Sequence, residues 1–450
     1  MGMKWAKFIL IPLAALLVLA VVLPFFVSLD HYVPAIEKAA ADRLHEPVSI
    51  KSIRLSLLPT PHVVIEGLSV GTTADVSVGK VRVAPAIFSL LSETKVVRRI
   101  DIDDLVLTQK GIDKIPVWTQ PSAPGAAGPQ VRIESIRLGN ALVKMDRASF
   151  GPFDARVNLN ASGEPEDASI TTRDGKLKIV VTPGPSNYLL DIAAKSWTLP
   201  GPAITFDELT IKGSATLNDA SFDQIGGKLY GGSIAGKATF GWRKRIQLSG
   251  NLDIDQVEVK QIAAAFSPKT HVSGKLIAKP VFSATAGDAA QLMDALRVDT
   301  AFSLHDGVLH GVDIQKAATS LVKREPAGGE TRFDQLSGNL SMEHNAFRFT
   351  QLKIGSGALA VDGDVNISAK KELSGRITAQ VKALGTSTGV PLNVAGTLDL
   401  PLLYPTGATL TGAAVGTMLM GPGVGTAVGV KAGNFVEGLF GKKDDQKAKK

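Results

Sequence analysis

The chain has 450 residues, a net charge of +7 and no cysteine, so it holds no disulfide, thiol nucleophile or thiolate metal site. Five Lys and two Asp in residues 442–450 contribute +3, and Lys4 and Lys7 a further +2. The long central part is therefore close to neutral and offers no nucleic-acid footprint.

Phe8 to Val27 is a run of twenty residues without a charge. A helix of that length crosses roughly 30 Å of hydrocarbon. Lys4 and Lys7 precede the run, and no Lys or Arg follows until Lys38. That asymmetry predicts a retained single-pass anchor, with Phe8 and Val27 at its ends, the N-terminus in the cytoplasm and the body across the membrane. A cleaved signal peptide would have a shorter apolar core and a small-x-small site, which Val27-Ser28-Leu29 does not supply.

Asp30 to Leu44 reads as a helix, with Pro34 in its first turn and Ile36, Ala40 and Leu44 on one face; Glu46-Pro47 stops it. The period then changes to two. Ile53-Arg-Leu-Ser-Leu57, Val81-Arg-Val83, Val131-Arg-Ile133, Leu177-Lys-Ile179, Leu252-Asp-Ile254, Phe302-Ser-Leu304 and Phe347-Arg-Phe349 all alternate, and most such runs end at Gly, Asn, Asp or Pro. The pattern predicts a mainly β chain, a long antiparallel meander with one apolar and one polar face. Helical interruptions are expected at Ala86–Ser92, Gln256–Phe266, Asp288–Leu296 and Ile314–Val322. Residues 121–130 and 324–330 read as loops or linkers.

The expected organisation is residues 1–45 as stub, anchor and juxtamembrane helix, 46–120 as an N-terminal β part, 131–323 as a middle β part and 331–405 as a C-terminal β part. Residues 406–441 form a Gly-rich apolar segment and 442–450 a Lys-rich tail. Open sheets rarely exceed about ten strands without curling or splitting. The short helices are too few to cover this apolar face. The sheet must close as a sandwich or barrel, or curl into a trough filled by a ligand.

Several segments resemble the AsmA family of Gram-negative envelope proteins. Tyr32-Val-Pro-Ala-Ile-Glu-Lys-Ala-Ala-Ala-Asp-Arg-Leu44 and Val48-Ser-Ile-Lys-Ser-Ile-Arg-Leu55 resemble the opening of that family. Val81-Arg-Val-Ala-Pro-Ala-Ile-Phe-Ser-Leu-Leu91 follows, leading through Arg99-Ile-Asp-Ile102 to Leu105-Val-Leu107. Gly226-Gly-Lys-Leu-Tyr-Gly-Gly-Ser-Ile-Ala-Gly236 is similar to its hairpin. Leu304-His-Asp-Gly-Val-Leu-His-Gly-Val-Asp-Ile314, Phe333-Asp-Gln-Leu-Ser-Gly338, Val361-Asp-Gly-Asp-Val-Asn-Ile367 and Val394-Ala-Gly-Thr-Leu-Asp-Leu-Pro401 complete the set. Residues 407–441 depart from the pattern.

The resemblance implies an elongated, half-open, taco-like β-groove along which phospholipid tails slide, similar to that of the chorein-type bridge-like carriers. About 20–25 strands at roughly 4.8 Å would make it on the order of 100 Å long. It also implies an inner-membrane protein with its body in the periplasm. The expected partners are phospholipids, the inner membrane, and the outer membrane or an envelope protein at the C-terminal end. The groove-lining candidates are Ile53, Leu55, Leu57, Val131, Ile133, Leu177, Ile179, Leu252, Ile254, Phe302, Leu304, Phe347 and Phe349. The alternative is a non-transporting scaffold assisting outer-membrane protein assembly, with a dry core.

Residues 406–430 carry no charge, and Gly421, Gly425, Gly429 and Gly433 recur every fourth residue. Small-xxx-small spacing lets helix backbones approach closely in lipid. A second membrane element, a glycine zipper on the β body or a partner, and a Gly-rich tail all fit, with Pro422 interrupting any single helix. No catalytic, metal or cofactor set is apparent, and no enzyme is expected. There is no P-loop, GxGxxG or GxSxG motif. His305 and His310, five residues apart, match neither helical ligand spacing nor strand parity. Asp362-Gly-Asp364 reads as a tight turn rather than a calcium loop. Asp101, Asp103 and Asp104 beside Arg98 and Arg99 read as a charged strand edge.

Overall fold

The computed structural model describes residues 29–406 apart from 57–59, 119–130, 146–147, 201–203, 217, 289–290, 320–326 and 382–388. The chain is mainly β, with twenty-four strands and a few short helices among these residues. It divides into two compact units, residues 1–203 with 210–216, and residues 204–209 with 217–450. Strand β12 (Ile204–Ala215) contributes residues to both.

The first unit opens with the 3-10 turn Asp30–Tyr32 and helix α1 (Val33–Leu44), ended by a left-handed His45. Pro at the helix start and the αL residue at its end are the expected punctuation. The helix packs beside the short strand β1 (Val48–Ser49). Strands β2 (Ser52–Ser56), β3 (His62–Val70), β4 (Val76–Pro85) and β5 (Lys95–Thr108) then form an antiparallel series. The edge strand β2 is not left bare. The Ile53 N–H donates to Asp30 Oδ1 at 2.8 Å, and the Leu29 N–H donates to the Ile53 carbonyl at 2.9 Å. The N-terminal segment thus occupies hydrogen-bonding groups that would otherwise template aggregation.

The meander is interrupted once in this unit. Helix α2 (Gln109–Trp118) follows β5, and β6 (Val131–Ile133) and β7 (Ser135–Lys144) return parallel to β5. A parallel neighbour needs a long crossover, which the segment after Thr108 supplies. The alternation did not reveal α2, because Gly111 and Pro116 both read as breakers. Gly111 sits there because a Cβ would lie 2.6 Å from the Asp75 carbonyl. Strands β8 (Ser149–Leu159), β9 (Pro165–Thr172), β10 (Leu177–Pro183) and β11 (Tyr188–Leu199) complete the series antiparallel.

The second unit contains β13 (Asp219–Leu229), β14 (Gly232–Gly241) and β15 (Ile246–Glu258), then helix α3 (Lys260–Phe266). The β13–β14 hairpin turns at Tyr230 and Gly231, both at positive φ, as a two-residue hairpin turn requires. Strands β16 (His271–Ala278) and β17 (Val281–Ala286) share β15 as one neighbour and β18 (Arg297–His310) as the other. After helix α4 (Ile314–Thr319), strands β19 (Glu330–Glu343), β20 (Ala346–Gly355), β21 (Leu359–Ile367), β22 (Leu373–Val381), β23 (Gly389–Thr397) and β24 (Leu400–Pro405) pair antiparallel in sequence order.

Several expectations are corrected. The helix expected from Gln256 starts at Lys260, because Gln256 at φ 55° lies in a bulge that keeps Glu258 in β15. Residues 291–295 form a turn rather than a helix. The segment Ala86–Ser92 is a 3-10 turn over Ile87–Leu91. Asp362-Gly-Asp364 is no turn. It lies inside β21, where Gly363 at φ 149° borders a bulge of β20 and Asp364 Oδ1 accepts the Gln351 N–H at 2.8 Å. Nor is the Asp101 cluster at a sheet edge. Strand β5 is paired on both sides, and Arg82 binds Asp103 at 2.6 Å while Arg99 binds Asp101 at 2.9 Å.

Candidate functional site

Cross-strand register turns the alternation into continuous apolar rows. Residues directly opposite each other in paired strands share a face. In the first unit one row runs Ile53, Ile65, Val81, Ile102, Leu138, Ala155, Ile170, Ile179 and Ile192, across nine strands. A parallel row begins at Leu55 and passes through Val63, Val83, Ile100 and Ile136. At about 4.8 Å per strand, the nine-strand row is on the order of 40 Å long and the second about 20 Å.

The exposure along the row is uneven. Ile53 and Val81 are buried, at 2% and 9% exposure. From Ile102 to Ile192 every member of the row is only half-buried. The reverse face carries exposed Asp154, Arg156, Lys178 and Asp191. An apolar face that protein leaves half-open for six strands is a surface on which further apolar matter gains about 0.8 kcal/mol for each CH₂ removed from water.

The second unit divides its apolar face between an open and a packed region. In β15 the half-buried Ile246, Leu248, Gly250, Leu252 and Ile254 alternate with exposed Gln247, Ser249, Asn251, Asp253 and Asp255. Gly250 stands opposite Phe282, and Gly338 opposite Phe302. A Cβ at Gly250 would lie 2.6 Å from the Phe282 ring, so the glycine makes room for the aromatic. Towards β24 the face is closed. Ile314, Ala318, Phe333, Leu359, Ala379, Val390 and Leu392 form a packed cluster, and α4 supplies its lid. Helix α3 reaches the same face. Val259 just before it joins the cluster, Phe266 packs edge-on against Phe347 at 5.3 Å, and Lys371 Nζ donates to the Phe266 carbonyl at 2.7 Å.

The candidate residues therefore occupy different surroundings. Leu55, Ile133, Leu177, Ile179, Leu252, Ile254, Phe302, Phe347 and Phe349 are half-buried. Phe302 and Phe349 meet edge-on at 6.0 Å. Ile53 is tied beneath the N-terminal segment, and Leu304, at 5% exposure, is a core residue of the packed cluster. These two depart from the groove-lining expectation, because protein already covers them. Val131, at 58% exposure, lies at the outer start of β6 beside Lys95. Phe8, Val27, Leu57, Gly421, Gly425, Gly429 and Gly433 lie outside the described residues, as do residues 121–130. No helix among the described residues is long and apolar enough to cross a membrane.

Two polar clusters were not legible in the sequence. Asp75, 2% exposed, accepts from Lys114 Nζ at 2.8 Å and from Thr73 Oγ1 at 2.6 Å. These donors hold its carboxyl below the usual carboxylate range. Lys114 also pairs with Glu46 at 2.5 Å, fastening α2 to the sheet. His271 and His310 stack at 4.6 Å across β16 and β18, and His310 lies 3.1 Å from Glu330 and 3.2 Å from Ser273 Oγ. Burial lowers the His271 pKa, helped by His310. Linear spacing could not show this pair, whose members are thirty-nine positions apart and adjacent through register. Among the described residues no group of three or more His, Asp or Glu is placed to hold a metal ion.

Residues 208–351 match the model of the AsmA family. This segment is similar to the AsmA family. It runs from within β12 into β20 and includes the Gly226–Gly236 hairpin, the Leu304–Ile314 strand and Phe333–Gly338, three of the segments that carried the resemblance. The matched segment thus holds both the alternating β15 face and part of the packed cluster. No curated protein and no solved structure matches the chain.

Proposed function

We propose that the chain is a non-enzymatic lipid carrier of the bacterial envelope. In this reading it is anchored in the inner membrane by Phe8–Val27 and passes phospholipid along its apolar β-face toward the outer membrane, supporting lipid homeostasis there. The observation that carries the reading is the half-buried row from Ile102 to Ile192, backed by an exposed polar face. Acyl chains need a continuous apolar floor without polar partners, and cross-strand register supplies one. The similarity of residues 208–351 to the AsmA family supports an envelope role.

The test places a photo-reactive phenylalanine analogue at Ile179 or at its neighbour Lys178 in the full chain. Membranes are irradiated and adducts read by mass spectrometry. Phospholipid adducts at 179 and none at 178 are expected. Equal labelling at both positions, or no lipid at either, rejects the carrier reading.

The packed cluster around Leu392 favours a second reading for the second unit, a scaffold with a dry core that assists outer-membrane protein assembly. Lipid adducts confined to the first unit would support that division of labour.

A further inference from the structure

The 3-10 turn Ile87–Leu91 joins β4 to β5 and exposes Phe88 to 87% and Ile87 to 50%. An isolated exposed apolar side chain needs no explanation. Two adjacent ones on a rigid projection do. The Ala86 N–H donates to the Val96 carbonyl at 2.8 Å, the Val96 N–H donates to Ser89 Oγ at 2.9 Å, and Ser89 Oγ donates to the Ala86 carbonyl at 2.7 Å. This closed ring of hydrogen bonds keeps the turn from folding its apolar residues back onto the sheet.

The turn also lies at a particular end of the sheet. Leu29 and Asp30 are bonded to Ile53 in β2, and Pro47, past α1, accepts the Gly71 N–H at the far end of β3. Helix α1 therefore runs along the β2 edge away from the strand ends where the β4–β5 turn lies, and Leu29, the first described residue, stands at the end of the helix nearer to that side. Ile53 registers with Ile65 and then Val81, six residues before Ile87. At about 3.3 Å per residue and 4.8 Å per strand, the turn is roughly 20 Å from Ile53 and from the Leu29 bonded to it, which follows the uncharged run Phe8–Val27 by two positions in the sequence. Its immediate charge is positive. Lys95 and Arg98 follow it, against Glu93 alone between Ala86 and Arg98, while Arg99 is paired with Asp101.

We propose that this turn is a membrane-contacting wedge, with Ile87 and Phe88 seated in the headgroup region of the phospholipid bilayer that holds the N-terminal anchor. The inference rests on the reading of Phe8–Val27 as an anchor and is independent of lipid transport. An aromatic and an aliphatic side chain beside Lys and Arg suit the interface of an anionic leaflet. The tether keeps that surface permanently within reach.

The chain has no native cysteine, so single labels are unambiguous. Full-length Phe88→Cys, Leu17→Cys and Lys176→Cys would each carry an environment-sensitive NBD probe. The proteins are reconstituted in phosphatidylethanolamine–phosphatidylglycerol vesicles with or without spin-labelled lipid. Lys176 lies in the β9–β10 turn, at the opposite strand ends. The expected result is blue-shifted emission and several-fold quenching by lipid nitroxide at 88, deep-bilayer quenching at 17, and neither effect at 176. Aqueous emission at 88 with a quenched probe at 17 overturns the wedge and leaves the anchor standing. A blue shift at 88 that ignores spin-labelled lipid means a protein covers the turn, and also overturns it. An unquenched probe at 17 removes the anchor and the wedge together.

Discussion

Ile170→Asp separates an open apolar floor from a closed core. Ile170 sits mid-row, opposite Ala155 on β8 and Ile179 on β10, and is half-buried. Fully burying an Ile is worth about 1.5–3 kcal/mol, so losing a half-buried one costs roughly 1–1.5 kcal/mol. On an open face the new carboxylate stays hydrated and adds little. A lipid tail crossing it would meet a charge in an apolar path, at about 2.5–3.5 kcal/mol. At 1.4 kcal/mol per factor of ten, transfer should slow by roughly a hundredfold. Leu392→Asp is the contrast, since Leu392 is 0% exposed inside the packed cluster. An unpaired charge there should cost about 4 kcal/mol or more and unfold the second unit. Urea unfolding and fluorescent-lipid transfer between vesicles measure the two quantities. If Ile170→Asp unfolds the protein as Leu392→Asp does, the row is a closed core. If it is stable and transfers lipid at the parental rate, the row is not the path.

Further outcomes follow from the polar clusters and one glycine. Asp75→Asn should lose about 1–3 kcal/mol, because it weakens the buried contacts to Lys114 and Thr73. The folded-state pKa of Asp75 is lowered, so its contribution is present above pH about 4 and fades as acid protonates it; denaturation midpoints at pH 7 and pH 3 should differ less in the variant than in the parent. The His271 pKa is also lowered in the fold, so the unfolded chain takes up its proton first. Stability should fall as pH drops below about 6.5, and His271→Gln should flatten that limb in urea titrations at pH 7.5 and 5.5. Gly363→Ala should destabilise by more than about 1 kcal/mol, since φ is 149° and the added Cβ would meet the Arg376 carbonyl at 2.3 Å; an unchanged melting temperature would show that β21 and β22 move apart freely.

Strand identity was legible because a half-buried β-face imposes period two on its own residues. Leu252-Asp-Ile254 and Phe347-Arg-Phe349 read correctly for that reason. The α2 helix was illegible because its Gly111 answers to the Asp75 carbonyl, which lies thirty-six positions earlier in the chain. Likewise Asp362-Gly-Asp364 has the composition of a turn, yet its glycine answers to the close approach of the Arg376 carbonyl in β22. The charged Asp101 cluster looked like an edge because the crossover that pairs β5 with β7 leaves no periodic trace.

The sequence by itself determined a mainly β chain, the alternation of apolar and polar faces, and enough ordered motif for the AsmA family to be recognised. These are local properties, written in residues within a few positions of one another. Tertiary structure alone decided which rows run unbroken from strand to strand, that the row from Ile102 to Ile192 stays half-open while Leu304 and Leu392 lie in a packed core, and that His271 meets His310. Each depends on register and coverage, which bring together residues far apart in the chain and therefore leave no mark on the spacing of any one segment.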